Sequence, residues 1–237
     1  TNNLKKKNDE KKKNIDHIRE IILECSKKHN KEVDEQNNKE INNENNNQEE
    51  KNIIIFKELK DKFNVHIKNV MDKNYNILEL KEVAGIKNVM PIIGSIILDT
   101  FGLVDDNIIS VYKLESFLNS VSERYLETTL YHNSLHGTDV THSLSIFILN
   151  SNIEEISQTN VLDLLGLFIS ALGHDIGHPG FTNNYHINAL SDLAIVYNDV
   201  SCLENFHASL LFKVLREDKN NIFEKLSSIN FKTIRKR

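Results

Sequence analysis

Apolar side chains recur every three or four residues along much of the chain after residue 50, and this spacing restricts the fold more than any other feature. In a helix, such spacing places the apolar side chains on one face. The stretches that show it are Ile55 to Ile67, Val111 to Val121, Val161 to Leu172, Ala189 to Tyr197 and Leu203 to Val214. Breaks at Gly173, Gly177 and Pro179–Gly180 are typical of helix ends, and the alternating pattern of strands is hard to find. The sequence therefore predicts an all-α fold.

The first 50 residues differ in composition from the rest of the chain. They contain 12 Asn, 12 acidic and 11 basic residues. Such a segment has too little apolar surface to offset the entropy lost on ordering. We therefore expect residues 1–50 to form a disordered, low-complexity leader and residues 51–73 to form a linker helix.

Charge and cysteine content exclude several classes of protein. The net charge is −5, and no cluster of basic residues offers the positive face that a nucleic-acid polymer requires. The two cysteines, Cys25 and Cys202, are far apart, which argues against a disulfide scaffold or a cysteine-based zinc site. The longest apolar stretch, Val161 to Leu172, is too short for a membrane span and contains Asp163. We expect a soluble cytoplasmic chain, with a membrane tether through segments outside this sequence left open.

The histidines are concentrated in one part of the chain, because seven of the ten lie between His132 and His207. His132 and His136 are four residues apart and would share a face if that segment is helical. His174 is followed directly by Asp175, and His178 lies four residues after His174. Imidazole and carboxylate together suit zinc, magnesium or manganese, and a carboxylate can bridge two ions. This pattern predicts a metal centre able to act on a phosphoryl group.

Each histidine motif alone has a simpler interpretation. Two histidines four residues apart are common on helices, and a His-Asp pair is often a surface hydrogen bond. The spacing also matches a zinc protease helix, but that chemistry requires Glu directly after the first histidine, where this chain has Asn133. Together the motifs favour the metal centre.

Three motifs resemble those of class I cyclic nucleotide phosphodiesterases. YHNSLHGTDV at Tyr131–Val140 resembles their YHNxxHAxDV signature, and HDIGHPG at His174–Gly180 is similar to their HDxxHPG segment. YNDVSCLEN at Tyr197–Asn205 resembles their YNDxSxLEN helix start. The motifs occur in the family's order and approximate spacing. By this resemblance, residues 74–237 are predicted to form the N-terminal portion of a phosphodiesterase catalytic domain.

The resemblance implies an all-α, phosphodiesterase-like domain that hydrolyses 3′,5′-cyclic nucleotides (cAMP, cGMP or both) to 5′-nucleoside monophosphates. It also implies a zinc ion and a second ion, magnesium or manganese, that share a bridging hydroxide. By motif, His136 and His174 would bind zinc, and Asp175 would lie at the two-metal centre. His132 would be the general acid that protonates the leaving O3′, because a histidine pKa near about 6.5 suits that transfer. The alternative, in which both His132 and His136 bind metal, stays open at this point.

The resemblance also assigns residues around the metal ligands. His178 and Glu204 would orient ligands or water, and Tyr131, Asn183 and Asn198 would lie in or near the substrate pocket. Glu204 has a second interpretation, because Ser201 and Glu204 have the spacing of a capping box at a helix start. Tyr131, Asn183 and Asn198 also have a second interpretation, because their side chains could instead form hydrogen bonds that hold the scaffold together.

The chain departs from the family pattern at several positions. Gly137 replaces the usual Ala, which we expect to loosen the helix slightly, His142 stands where Gln is frequent, and Phe206 replaces a His. The family's remaining Asp ligand and its base-binding residues have no counterpart before Arg237. We therefore expect an incomplete catalytic domain that is weakly active or inactive alone, with cAMP or cGMP preference undetermined. The alternatives are another HD-type nucleotide phosphohydrolase and a non-catalytic binding scaffold.

Overall fold

The computed structural model describes residues 66, 68–104, 108–151 and 160–236, and these residues form nine α-helices and one short 3₁₀ helix. The helices are α1 Ile77–Ala84, α2 Ile86–Thr100, α3 Val111–Arg124, α4 Ser134–Asn150, α5 Val161–Gly173, α6 Asn183–Asn188, α7 Asp192–Tyr197, α8 Cys202–Leu215 and α9 Ser228–Lys236, with the 3₁₀ helix at Asp218–Asn220. No strand occurs in these ranges, so the predicted all-α fold is confirmed. No helix there is both long and apolar enough to cross a membrane.

Two of the domain predictions concern residues that are mostly outside the described ranges. The leader predicted for residues 1–50 lies wholly outside them, as does most of the linker helix predicted for residues 51–73. Both remain predictions.

Helix α2 is the centre of the fold, since it contacts α1, α3, α4 and α5. Ten consecutive residues, from Val89 to Leu98, are buried. A helix that is apolar on all sides belongs in a core, and each fully buried Ile contributes about 1.5–3 kcal/mol relative to exposure. The sequence analysis did not identify α2, which contains Pro91, a residue that normally argues against a helix interior.

Helix α2 contains Pro91, which has no N–H to donate to the carbonyl of Lys87 four residues earlier. The hydroxyl of Ser122, on α3, donates to that carbonyl at 3.0 Å instead. A partly buried carbonyl without a donor is destabilising, so Ser122 helps the proline to remain inside the helix. The contact also fixes α3 against α2.

A buried polar network joins α3 to the turn after α8. The side-chain oxygen of Asn220, which is fully buried, accepts hydrogen bonds from Ser116 and Ser120 at 2.7 and 3.2 Å. Arg124 at the end of α3 pairs with Glu217, and Glu217 accepts from the Asn220 amide at 2.9 Å. The network holds the end of α3 close to α8.

A histidine of α4 attaches the segment before α1 to the core. His142 is buried, and its Nε2–H donates to the carbonyl of Val70 at 2.5 Å. The ring of Tyr75 packs against the His142 ring, and the Tyr75 hydroxyl hydrogen-bonds to His66 at 3.0 Å. His142 stands where Gln is frequent in the family, and in this chain it holds the segment before α1 against the core.

The helix predicted for Ala189 to Tyr197 is wrong in where it begins, because only Asp192–Tyr197, helix α7, is helical within that stretch. Helix α6 ends at Asn188, and α7 begins at Asp192 after Ser191, whose hydroxyl caps it. Between them Leu190 has a φ of 50° and is 73% exposed, so it does not share the buried face with Ala194. Ser191 supplies the N-cap signal that the apolar pattern concealed.

Replacing Ser122 with Ala should lower the free energy of unfolding by about 1 kcal/mol, because the partly buried Lys87 carbonyl loses its donor. Ser143→Ala, on the exposed side of α4, is the matched control and should change stability by less than about 0.5 kcal/mol. Pro91→Ala returns a helical N–H to Lys87, so Ser122→Ala should then be much less harmful. Urea denaturation measures these differences, and equal losses in both backgrounds would contradict this account.

Candidate metal centre

Helix α4 begins at Ser134, and its first turn carries His136. The Asn133 side chain caps it by accepting from the backbone N–H groups of Leu135 and His136, at 3.1 and 3.3 Å. His132 therefore precedes the helix, and the expected shared helical face does not exist. The two imidazoles are nevertheless close, with ring centroids 5.8 Å apart, because the turn before α4 folds back.

Helix α5 leads directly into His174 and Asp175. It begins with a capping box made by Asn160 and Asp163, and much of its length is buried. At its end Gly173 allows α8 to approach closely, since a Cβ there would lie 2.7 Å from the Leu211 side chain. The His-Asp pair is thus attached to a helix that is fixed at both ends.

A tight turn connects Asp175 to His178. Gly177 has a φ of 72°, and an added Cβ would lie 2.8 Å from the Leu210 side chain, so this turn requires glycine. The N–H of His178 donates to the Asp175 carbonyl at 3.0 Å. The turn brings the imidazole of His178 onto that of His132, with ring centroids 3.9 Å apart and an interplanar angle of 9°.

One carboxylate oxygen of Asp175 lies among three imidazoles. Its Oδ2 is 2.8 Å from His132 Nδ1 and 3.3 Å from both His136 Nε2 and His174 Nε2. His136 Nε2 and His174 Nε2 are 3.2 Å apart. His174 donates its Nδ1–H to the Ala171 carbonyl at 2.9 Å, so when neutral its Nε2 presents a lone pair to this cluster.

These distances fit a tetrahedral cation. With bonds of about 2.0–2.1 Å, adjacent ligand atoms of tetrahedral zinc lie about 3.3 Å apart. The three separations among His136, His174 and Asp175 are 3.2, 3.3 and 3.3 Å. The 2.8 Å separation of His132 from Asp175 is a hydrogen-bond length instead. Two imidazole nitrogens and a carboxylate oxygen therefore form a donor set suitable for one cation.

The other oxygen of Asp175 faces a histidine that the sequence analysis missed. His207 is 3% exposed, donates Nδ1–H to the Ile176 carbonyl at 2.7 Å, and has its Nε2 3.8 Å from Asp175 Oδ1. That Nε2 is buried without a hydrogen-bond partner. His207 lies three residues after Glu204 in the same histidine-rich region, and this position is the signal that could have identified it as a site residue. Asp175, His178 and His207 form a second group of possible ligands.

Hydrogen bonding distinguishes the roles open to His178 and His207. His178 Nδ1 accepts from the N–H of Gly180 at 3.0 Å, so the neutral ring carries its proton on Nε2 and is a donor there. His207 has the opposite tautomer, with an Nε2 that can accept or bind a cation. The two rings are stacked with centroids 5.5 Å apart.

Burial and the neighbouring charges set the protonation of the cluster. Burial lowers the pKa of His136, of His178 and of His207, which favours the neutral imidazoles that metals require. Burial opposes protonation of His174 too, but hydrogen bonds to Asp175 and Ala171 outweigh it and raise its pKa. Burial acts to raise the pKa of Asp175, but hydrogen bonds from His174 and His132 hold it well below its usual range. The carboxylate is therefore ionised.

Glu204 and Asn183 form a pair beside this cluster. The Asn183 amide donates to both carboxylate oxygens of Glu204, at 3.2 and 3.0 Å, and its carbonyl oxygen accepts from the N–H of Leu203 at 2.9 Å. Ser201 has a left-handed backbone and makes no side-chain cap. The capping box considered for Ser201 and Glu204 is therefore absent, and Asn183 caps α8 from another helix.

The two remaining pocket candidates lie in different surroundings. Tyr131 is 64% exposed, and its ring centroid is 4.5 Å from that of His136 and 5.0 Å from that of His132. Asn198 ends α7 in a left-handed conformation, with a φ of 49°, and its backbone N–H completes the last turn. Asn tolerates that conformation better than most residues, which explains Asn198 without a ligand.

Comparison with known proteins identifies the family that the sequence motifs indicate. Residues 131–237 match the model of the 3′5′-cyclic nucleotide phosphodiesterase family. The chain is 39% identical over 128 residues to the 3′,5′-cyclic-nucleotide phosphodiesterase regA of Dictyostelium discoideum, an alignment covering 54% of this chain and 16% of that protein. It is 38% identical over 168 residues to the cGMP-specific 3′,5′-cyclic phosphodiesterase alpha of Plasmodium falciparum, covering 70% and 17% of the two chains.

Solved structures give the same family. The phosphodiesterase domain of the rhodopsin phosphodiesterase fusion protein from Salpingoeca rosetta superimposes with a TM-score of 0.58 at 32% identity. The match covers 62% of this chain and 45% of that one. The chain thus spans under half of this solved domain and about a sixth of the curated relatives named above. Residues 131–237 belong to the class I cyclic nucleotide phosphodiesterase family and form part of its catalytic domain.

Proposed function

We propose that this chain supplies the histidine-rich half of a metal centre that hydrolyses 3′,5′-cyclic nucleotides to 5′-nucleoside monophosphates. The observation that carries the proposal is the convergence of His136, His174 and Asp175 at separations of 3.2–3.3 Å. The relatives named above are cyclic nucleotide phosphodiesterases. Because the chain spans only part of their length, the proposal concerns the protein that contains it.

Zinc is the ion we assign to His136, His174 and Asp175 Oδ2, because two imidazoles and one carboxylate at tetrahedral spacing suit it. We assign magnesium or manganese to the side of Asp175 Oδ1. His207 Nε2 faces that oxygen as a possible nitrogen ligand. When bound, two such ions activate water and neutralise the charge that develops on the phosphoryl oxygens.

His132 is the residue we assign as general acid. Its Nδ1–H donates to the ionised Asp175 at 2.8 Å, which orients the ring and leaves Nε2 to carry a second proton. The side chain is 35% exposed, against 16% for His136, so a substrate oxygen can reach it more easily. In this role His132 delivers its Nε2 proton to the leaving O3′.

The neighbouring residues support the centre indirectly. His178 has an Nε2–H donor that suits orientation of water near Asp175. Asn183 holds both oxygens of Glu204, which fixes this carboxylate beside the cluster. Tyr131, exposed beside two of the histidines, is the pocket residue that we expect to contact substrate.

Hydrolysis of cAMP and of cGMP, assayed on the protein as its gene encodes it, tests the proposal. Turnover should disappear with a strong chelator and return when zinc and magnesium are added back. A nucleoside triphosphate in a parallel assay tests the alternative of another HD-type phosphohydrolase. A folded, metal-loaded protein that leaves both cyclic nucleotides intact would overturn the proposal, and the 237-residue chain assayed alongside would show how much activity it has alone.

Two substitutions separate the acid from the ligands. His132→Gln should lower turnover by about 10²–10⁴-fold while the zinc content stays near that of the unaltered protein, because only the proton donor is lost. His136→Gln should lower both the turnover and the zinc content, since it removes a metal ligand. Metal analysis of the purified proteins and initial-rate assays give the comparison. Equal zinc loss in the two variants would assign His132 as a ligand instead.

Zinc affinity should fall as the solution is acidified, starting near neutral pH. Protons compete with the cation for each imidazole. The raised pKa of His174 means that it takes up a proton at higher pH than an ordinary histidine, whereas the lowered pKa of His136 delays its protonation. We expect a decline in two steps, one above and one below the ordinary histidine pKa of about 6.5, measured across that range by competition with a chelator of known pH dependence. An affinity that does not change over this range would contradict coordination by these imidazoles.

A further inference from the structure

Tyr125 is a buried tyrosine that touches the metal-binding segments without belonging to them. It follows the last residue of α3 and is 2% exposed. Its hydroxyl donates to the carbonyl of Leu172 at 2.9 Å and accepts from the N–H of Asp175 at 3.4 Å. The hydroxyl therefore bridges the end of α5 and the first residues of the turn that follows.

The same hydroxyl also contacts the first turn of α4. A Cβ added to Gly137 would lie 2.6 Å from the Tyr125 oxygen and 2.9 Å from the ring carbon that bears it. Gly137 directly follows His136, so its missing side chain makes room for the hydroxyl. The substitution of Gly for the family's Ala has a packing reason in this chain, in addition to the expected effect on helix propensity.

This single oxygen thus contacts the backbone beside each of the three ligand residues. Leu172 lies in the last turn of α5, where carbonyls have no helical N–H partner, and Tyr125 satisfies one of them just before His174. The hydroxyl also receives the Asp175 N–H and packs on the residue after His136. A metal site needs its ligand atoms held within about 0.5 Å, and neighbours of the ligands usually provide that precision.

We propose that Tyr125 is a positioning residue that sets the distance between His136 and the His174–Asp175 pair. It touches neither the ligand atoms nor a substrate, and it acts through the backbone of α5 and α4. The proposal rests on the metal centre proposed above. It predicts that removing one oxygen atom, with no change to any ligand, weakens metal binding.

Zinc affinity of the protein as its gene encodes it tests this directly. Tyr125→Phe should bind zinc about 10–100-fold more weakly than the unaltered protein, as measured by competition with a chromogenic chelator. Tyr75→Phe is the matched control, because it also loses a hydroxyl hydrogen bond, to His66, but one that does not involve α5. It should bind zinc normally. Circular dichroism at the assay temperature shows that each variant is folded.

A control variant with lowered stability separates positioning from a general loss of stability. Ser122→Ala removes the hydroxyl that donates to the Lys87 carbonyl and leaves every ligand residue and Tyr125 in place. It should lower the melting temperature without weakening zinc binding. If Tyr125→Phe does not fold at the assay temperature, the same comparison at a lower temperature, where both variants are folded, carries the test.

The outcomes distinguish the two proposals. Normal zinc affinity in folded Tyr125→Phe, or an equal loss of affinity in Ser122→Ala, would overturn the positioning role and leave the metal centre intact. Failure of the unaltered protein, as its gene encodes it, to bind zinc at all would overturn the metal centre itself.

Discussion

The ionised carboxylate of Asp175 is the group on which the arrangement of the site depends. A half-buried negative charge is costly unless it is compensated, and here one oxygen meets three imidazoles while the other faces a fourth. The two oxygens separate the histidines into two groups. Because His174 and Asp175 are adjacent, one backbone position determines the geometry of both groups.

The rest of the fold fixes that backbone position. Helix α2 forms the hydrophobic centre against which α4 and α5 pack, and these two helices carry the ligands on either side. Close contact of α5 with α8 at Gly173 brings His207 under Asp175. The catalytic chemistry we propose is therefore supported by packing that extends well beyond the histidines.

Features that depend on neighbouring residues could be predicted from the sequence, and features that depend on distant ones could not. Helix α5 is an apolar run that ends at glycine, and the histidine motifs are short, so both were identifiable. Helix α2 contains Pro91, which argues locally against a helix, and the donor that makes the proline tolerable comes from a distant residue, Ser122. His207, and the contact of Tyr125 with Leu172, join residues 31 and 47 positions from their partners, and no local pattern records such pairings.

The hydroxyl of Ser122 on the Lys87 carbonyl has a consequence for the history of the sequence. A proline could enter α2 without a large loss of stability only if a donor from another helix was already present or appeared soon afterwards. Once Ser122 and Pro91 are both present, a substitution of the serine lowers stability, whereas a substitution of the proline does not leave the Lys87 carbonyl without a donor. The two positions should therefore vary together among relatives, with the serine arriving earlier and departing later than the proline.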